Sequence, residues 1–190
     1  MKIMVASDIH GDYDSAKAII DRYMESGADR LLLLGDILYH GPRNDLPTSY
    51  APKKVIELLN SVKDELLCVR GNCDTEVDAM VLNFPILADY AWICLGETRI
   101  FATHGHKFNT QTPPPLKKGD ILLHGHTHVS CAIPFGDSNL YLNPGSAAIP
   151  KENTPRGFLL IDENTASFRA LDGIEYDRID FSSTKQTCFC

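Results

Sequence analysis

The chain has 190 residues, of which 44% are hydrophobic and 23% charged, the make-up of an ordinary globular protein within the size of one domain. At that length folding buries roughly 70% of the surface of the unfolded chain, so neither a disulfide nor a structural zinc is needed to hold a core. A formal charge of -7 works against the Lys/Arg-rich surface that normally meets a nucleic-acid backbone, and disfavours such a partner.

From Lys2 to Val69 the pattern alternates strand and helix. Apolar Ile3 to Ala6 reads as a strand, and Ala16, Ile19, Ile20, Tyr23 and Met24 follow a helical period. Asp12 or Asp14 can cap that helix and Gly27 can end it, ahead of the continuous run Leu31 to Leu34, which completes a βαβ unit. A second helix follows Pro52, with Val55, Leu58, Leu59 and Val62 on one face, and leads into a strand over Leu66 to Val69.

Beyond about Asn83 the reading turns to short strands. Ala91 to Leu95 and Arg99 to Thr103 flank Gly96-Glu97 as a hairpin. Further strands are expected over Asp120 to Leu123, Ser130 to Pro134, Asn139 to Leu142, Gly157 to Ile161 and Ala166 to Leu171. An α/β first half and a strand-rich second half predict two packed sheets with helices outside. Residues 1–182 are expected to form one domain and 183–190 a C-terminal tail. Tyr39 to Ala51 and Lys107 to Leu116, the latter with Pro113-Pro114-Pro115, read as long loops of the kind that shape binding sites.

No apolar run approaches the roughly 20 residues needed to span a bilayer. Ile3 to Ala6 ends in Ser7-Asp8 without the pattern of a secretory signal, so a cytoplasmic protein is expected. The six cysteines form no CxxC pair and read as reduced thiols. Cys188-Phe189-Cys190 is not a prenylation box.

Five apolar runs end in a residue able to bind a metal: Asp8, Asp36, Asn72, His104 and His126. Loops converge at the carboxyl ends of strands in α/β sheets while the strands hold them rigidly, so a site assembled there draws on distant segments. Asp8-Ile9-His10 and His126-Thr127-His128 each add one further histidine, which brings the donors to seven, more than one ion takes. Carboxylate, amide and imidazole together suit Mn²⁺, Fe or Zn²⁺ better than Mg²⁺ or Ca²⁺. Gly11, Gly35, Gly71, Gly105 and Gly125 adjoin these donors and permit tight turns there.

Asp8-x-His10, Gly35-Asp36, Gly71-Asn72-x-Asp74, Thr103-His104-Gly105-His106 and Gly125-His126-Thr127-His128, in this order, resemble the calcineurin-like metallophosphoesterases. His40-Gly41-Pro42-Arg43-Asn44, Arg70-Gly71-Asn72-Cys73-Asp74 and Asn143-Pro144-Gly145-Ser146 look closer still to the small bacterial YfcE-like phosphodiesterases. The likeness spans about residues 1–172. It implies a four-layer α/β/β/α sandwich of two mixed sheets flanked by helices, with a two-metal centre. Asp8, His10, Asp36 and His128 would hold one ion and Asp36, Asn72, His104 and His126 the other, with Asp36 bridging and Asp36, Asn72 and His104 at the heart of the chemistry. The ions would be Mn²⁺ first, with Zn²⁺, Fe or Ni²⁺ as alternatives. They would lower the pKa of a shared water whose hydroxide attacks a small phosphodiester in line.

Cys73 departs from the wider family, many of whose members place there a histidine that helps protonate the leaving group and bind phosphate. A thiol is the weaker donor, which implies a preference for good leaving groups. Arg43 and Asn44 are candidate phosphate contacts, a guanidinium being the natural partner of a phosphate oxygen. His106 and His124 read as supporting residues, and Asp74 as orienting a ligand or closing a turn.

Two rival readings share these residues. An interaction scaffold of the same fold would be marked by loss of a ligand, and all seven positions hold competent donors. A nuclease would be expected to carry a Lys/Arg-rich stripe with interleaved aromatics, which the sequence lacks. Exposed apolar residues in the second half leave room for a homodimer.

Overall fold

The strand β1 (Ile3–Ala6) is wholly buried and pairs in parallel with β2 (Arg30–Leu33), which pairs in parallel with β3 (Leu66–Cys68). This is a computed structural model, and it describes residues 1–181; the expected tail at 183–190 lies outside them. Between β1 and β2 the chain crosses over through α1 (Tyr13–Ser26). Asp12 caps the helix by accepting the Ser15 N–H at 2.8 Å, and Gly27 ends it at φ 64°. Ala16, Ile19, Ile20 and Tyr23 form the buried stripe, while Met24 lies off it and is 61% exposed. Helix α2 (Pro52–Ser61) begins on its proline and buries Val55 and Leu59.

The hairpin β4 (Tyr90–Leu95) and β5 (Thr98–Thr103) opens a second sheet, in which β6 (Ile121–Leu123) lies parallel to β5 and β8 (Asn139–Pro144) parallel to β6. Strand β7 (Ser130–Phe135) closes its far edge. The chain then returns to the first sheet as β9 (Gly157–Ile161), β10 (Thr165–Ala170) and β11 (Glu175–Asp180). The orders are β11-β10-β9-β1-β2-β3 and β4-β5-β6-β8-β7, and both sheets are mixed.

The continuous apolar runs have a simple cause. Successive side chains of a strand point to opposite faces, and both faces of the central strands are covered. Met4, Ala6, Leu31 and Leu33 pack beneath α1 and α2, while Ile3, Val5, Leu32 and Leu34 pack against Leu95, Ile100, Ala102, Leu123 and Leu142 of the second sheet. Each fully buried aliphatic side chain there contributes about 1.5–3 kcal/mol.

The expected sandwich of two mixed sheets flanked by helices is present, with both α-helices on the first sheet. Over the outer face of the second sheet, Phe108 and Leu116, from the segment between β5 and β6, pack against Phe101, Leu122 and Tyr141. That segment holds no helix among the described residues.

Candidate functional site

The carboxyl ends of β1, β2 and β3 in one sheet meet those of β5 and β6 in the other. Asp8 lies two residues past β1 and is fully buried. Its Oδ2 accepts the Ser7 hydroxyl at 2.6 Å and the His126 N–H at 3.0 Å, which ties β1 of the first sheet to the loop after β6 of the second. His104 follows β5, and its Nδ1–H donates to the Leu34 carbonyl, just beyond β2, at 2.7 Å. All seven candidate donors therefore lie around one cleft between the sheets.

The backbone is bent to aim them. Seven non-glycine residues among those described have positive φ, and five of these are candidate ligands: Asp8 (55°), His10 (49°), Asp36 (54°), His126 (67°) and His128 (64°). Such conformations cost about 1–3 kcal/mol each and are retained where the surroundings over-determine them, as at ligand sites. The loops also approach closely. A Cβ on Gly71 would lie 2.1 Å from Asp36 Oδ1, so only glycine fits at that turn.

Hydrogen bonds fix the imidazoles. His10 Nδ1–H donates to Tyr39 O at 2.7 Å, His128 Nδ1–H to Ile149 O at 2.9 Å, and His104 Nδ1–H to Leu34 O. Their Nε2 lone pairs then all face inward. Those of His10 and His128 stand 3.2 Å apart, and that of His104 is 3.1 Å from Asn72 Oδ1. Asp8 Oδ1 is buried without a hydrogen-bond donor, 3.2 Å from His128 Nε2 and 3.5 Å from His10 Nε2. Asp36 Oδ2 lies between the groups, 3.8 Å from His10 Nε2 and 3.5 Å from His104 Nε2. His126 Nδ1 completes the second group at 3.2 Å from His104 Nε2.

Converging acceptors without donors are unfavourable unless a cation or protons lie among them. Burial opposes ionisation of Asp8, yet the imidazoles of His10 and then His128 outweigh it and hold the carboxyl well below its usual range. Burial likewise opposes a charge on His10, and the Asp8 carboxylate overcomes this and raises its pKa. Asp8, His10 and His128 form one compact donor set, and Asp8, Asp36 and His104 another. The residues thus fit divalent cations, with the imidazole-rich donors favouring a transition metal.

Cys73 Sγ also lies within 4.8 Å of the ligand atoms of His10 and Asp36. Burial and then the Asp36 charge push the pKa of this thiol up to about 12. Arg43 is exposed and makes no side-chain hydrogen bond or ion pair among the described residues. Asn44 donates its amide to His40 O at 2.8 Å within its own loop. The His106 ring lies 5.4 Å from that of His104, and burial lowers its pKa to about 4. His124 is buried and stacks on Tyr141 at 4.2 Å.

Several supporting residues were not evident from strand-end logic alone. The Asp74 carboxylate accepts three backbone N–H groups, from Asp36 at 2.9 Å, Ile37 at 2.9 Å and Gly71 at 2.7 Å, and so clamps the two ligand loops together. Ser146 donates to Asp8 O at 2.7 Å. The Asn143 amide donates to Gly125 O at 3.0 Å and Thr127 Oγ1 at 2.9 Å, holding the turn that carries His126 and His128. Both follow from β8, a parallel strand whose carboxyl end opens on the same cleft. A cavity of about 640 Å³ lies beside the amino ends of β5, β6 and β8 and is lined by none of the seven donors.

A fold of two stacked mixed sheets with Asp, Asn and His at converging strand ends defines a phosphoesterase of the calcineurin-like class. The chain belongs to that family: residues 1–166 match the model of the calcineurin-like phosphoesterase superfamily domain. It is 45% identical over 172 residues, 90% of this chain and 93% of the relative, to phosphodiesterase YfcE of Escherichia coli strain K12. A solved structure of the E. coli phosphoesterase Yfce superposes with a TM-score of 0.91 at 43% identity, covering 95% of this chain and all of that one. A predicted phosphoesterase from Streptococcus pneumoniae is similar at a TM-score of 0.60 and 26% identity, covering 94% of this chain and 97% of the other. Vps29 of Entamoeba histolytica, at a TM-score of 0.59 and 24% identity over 95% of this chain and 99% of its own, shares the fold.

Proposed function

We propose that the protein is a metal-dependent phosphodiesterase that hydrolyses small diffusible diesters at a two-metal centre in the cytoplasm. The observation that carries this reading is the inward convergence of Asp8 Oδ1 and the Nε2 atoms of His10, His128 and His104, with no donor among them. Likeness to a relative named as a phosphodiesterase supports the class of ester. Asp8, His10, Asp36 and His128 are assigned to one ion and Asp36, Asn72, His104 and His126 to the other, with Mn²⁺ as the first choice and Zn²⁺, Fe or Ni²⁺ as alternatives. When bound, such a pair supplies a nucleophile from water at neutral pH and neutralises charge on the phosphoryl oxygens.

The chain's own residues do the rest. Asp36, whose Oδ2 lies 3.8 Å from His10 Nε2 and 3.5 Å from His104 Nε2, would screen two cations from each other. Cys73 donates its N–H to Asp36 Oδ1 at 2.8 Å and fixes that carboxylate. Asn72 presents a neutral oxygen, which adds no charge to repel a phosphate. Arg43, exposed and unpaired among the described residues, is free to reach a phosphoryl oxygen. Asn44 and Cys73 border the same loops.

The net charge of -7 does not favour a nuclease, and seven intact donors do not favour a scaffold. Metal analysis after dialysis tests the centre: two equivalents per chain are expected, with a loss in Asp36→Asn, and one equivalent or none in the unaltered protein would refute it.

A further inference from the structure

Beside the donor cluster runs a cleft of about 440 Å³ that the mechanism above does not use. Its walls include Leu38, Tyr39, Tyr50, Ile56, Val77 and Val81, and Cys73 also lines it. The cleft is continuous with the site, because Cys73 Sγ also lies within 4.8 Å of the ligand atoms of His10 and Asp36. Tyr39 links the two regions as well: its carbonyl orients His10, and the residue is among those that line the cleft.

The walls are apolar and open to water. Tyr39 is 43% exposed, Val77 69% and Val81 42%, a cluster of exposed apolar surface that calls for an occupant. Only Lys53 and Asp78 bring charge to the lining, one of each sign, and Asp78 is already engaged by the Thr75 N–H at 2.7 Å and hydroxyl at 2.8 Å. A second phosphate or a carboxylate would find no net countercharge there. A flat apolar group would find aromatic and aliphatic walls.

We propose that this cleft receives a planar, uncharged organic group esterified to phosphorus, so that the preferred diesters carry at least one aryl or comparably flat apolar alcohol. The inference rests on the phosphodiesterase reading above. It assigns to the segment Thr75–Val81, with Leu38, Tyr39, Tyr50 and Ile56, the selection of the organic part of the substrate, which the metal ligands cannot perform.

The test uses phenyl phosphate and methyl phosphate, each carrying a single ester group, titrated calorimetrically into the Mn²⁺-loaded protein. Contact of one phenyl ring with these walls corresponds to an affinity ratio of about tenfold in favour of phenyl phosphate. In Val77→Asp and Val81→Asp, both at exposed positions where folding is not at stake, the ratio is expected to fall toward unity. Ile133→Asp, at an equally exposed position on β7, is expected to retain it. Equal binding of the two esters, no binding of either, or a preference that survives both cleft variants would overturn the proposal. Hydrolysis of a chromogenic diester, followed separately, reports on the phosphodiesterase reading: a phenyl preference without hydrolysis would sink that reading and leave the cleft standing.

Discussion

The Nε2 atoms of His10 and His128 face each other at 3.2 Å while each ring donates its Nδ1–H to a backbone carbonyl, of Tyr39 and Ile149 respectively. Neither nitrogen can donate to the other in that tautomer, so the pair stores repulsion that a cation or a proton relieves. The arrangement couples the stability of the fold to occupancy of the site.

Metal removal should therefore destabilise the protein. A ligand present at 100 times its dissociation constant stabilises by about 2.7 kcal/mol, which for a chain of this size corresponds to roughly 5–10 °C in Tm. Thermal unfolding with chelator and with added Mn²⁺ measures the difference, and superimposable curves would contradict the assignment of these nitrogens as ligands.

Asp74 should matter more than its distance from the chemistry suggests. Removing its carboxylate in Asp74→Ala strands three buried backbone N–H groups, each worth about 1–3 kcal/mol when unsatisfied, so a loss of about 3 kcal/mol or more is expected. Asp74→Asn keeps one acceptor oxygen and should lose less. Urea unfolding of the two variants decides the point, and equal stabilities would show that the clamp is not the cause.

Glu175 gives a pH dependence with a definite sign. The Arg178 guanidinium and then the Ser167 hydroxyl, against a small opposing effect of burial, lower its pKa from the ordinary 4.5 to about 2. A carboxyl depressed in the folded state contributes stability that is fully present above pH 4.5 and is lost as pH falls toward 2. The pair lies on an exposed edge strand and is screened, so Glu175→Gln should cost only about 0.5–1 kcal/mol at pH 7. That gap should narrow at pH 3; a gap that widens on acidification would reverse the sign.

The Cys73 thiol, its pKa pushed up to about 12 by burial and the Asp36 charge, lies beside the donor cluster, where a stronger donor would assist a poor leaving group. Cys73→His should raise turnover of an alkyl monoester, whose alcohol is a poor leaving group, relative to the aryl diester by about 10²-fold, the low end of what a positioned acid supplies. Steady-state rates on both esters measure it, and an unchanged ratio would remove Cys73 from the account of specificity.

Much of this was legible in the sequence because burial on both faces makes the central strands continuous apolar runs, and each ends on a chemically distinct residue. β1 and β2 and the residues after them could be read in that way, while β3, an edge strand with Leu67 exposed, could be read only from its short apolar run. β11 (Glu175–Asp180) could not: it is a largely exposed edge strand of Glu, Tyr, Asp, Arg and Ile with no apolar alternation, and it is held by pairing to β10. Strand order was equally hidden, because the return of β9 to pair with β1 is a long-range event without a local signal. Asp74 was visible as a residue but not as a clamp, since its three partners lie on two loops that only the folded sheet brings together.

The most direct measurement is hydrolysis of bis(4-nitrophenyl) phosphate by chelator-stripped protein with and without restored Mn²⁺, beside Asp36→Asn. The account predicts turnover that requires the metal and falls by a factor of at least about 10² in the variant, the scale of losing one electrostatic partner of the transition state. Turnover that persists without metal, or that Asp36→Asn leaves intact, would contradict it.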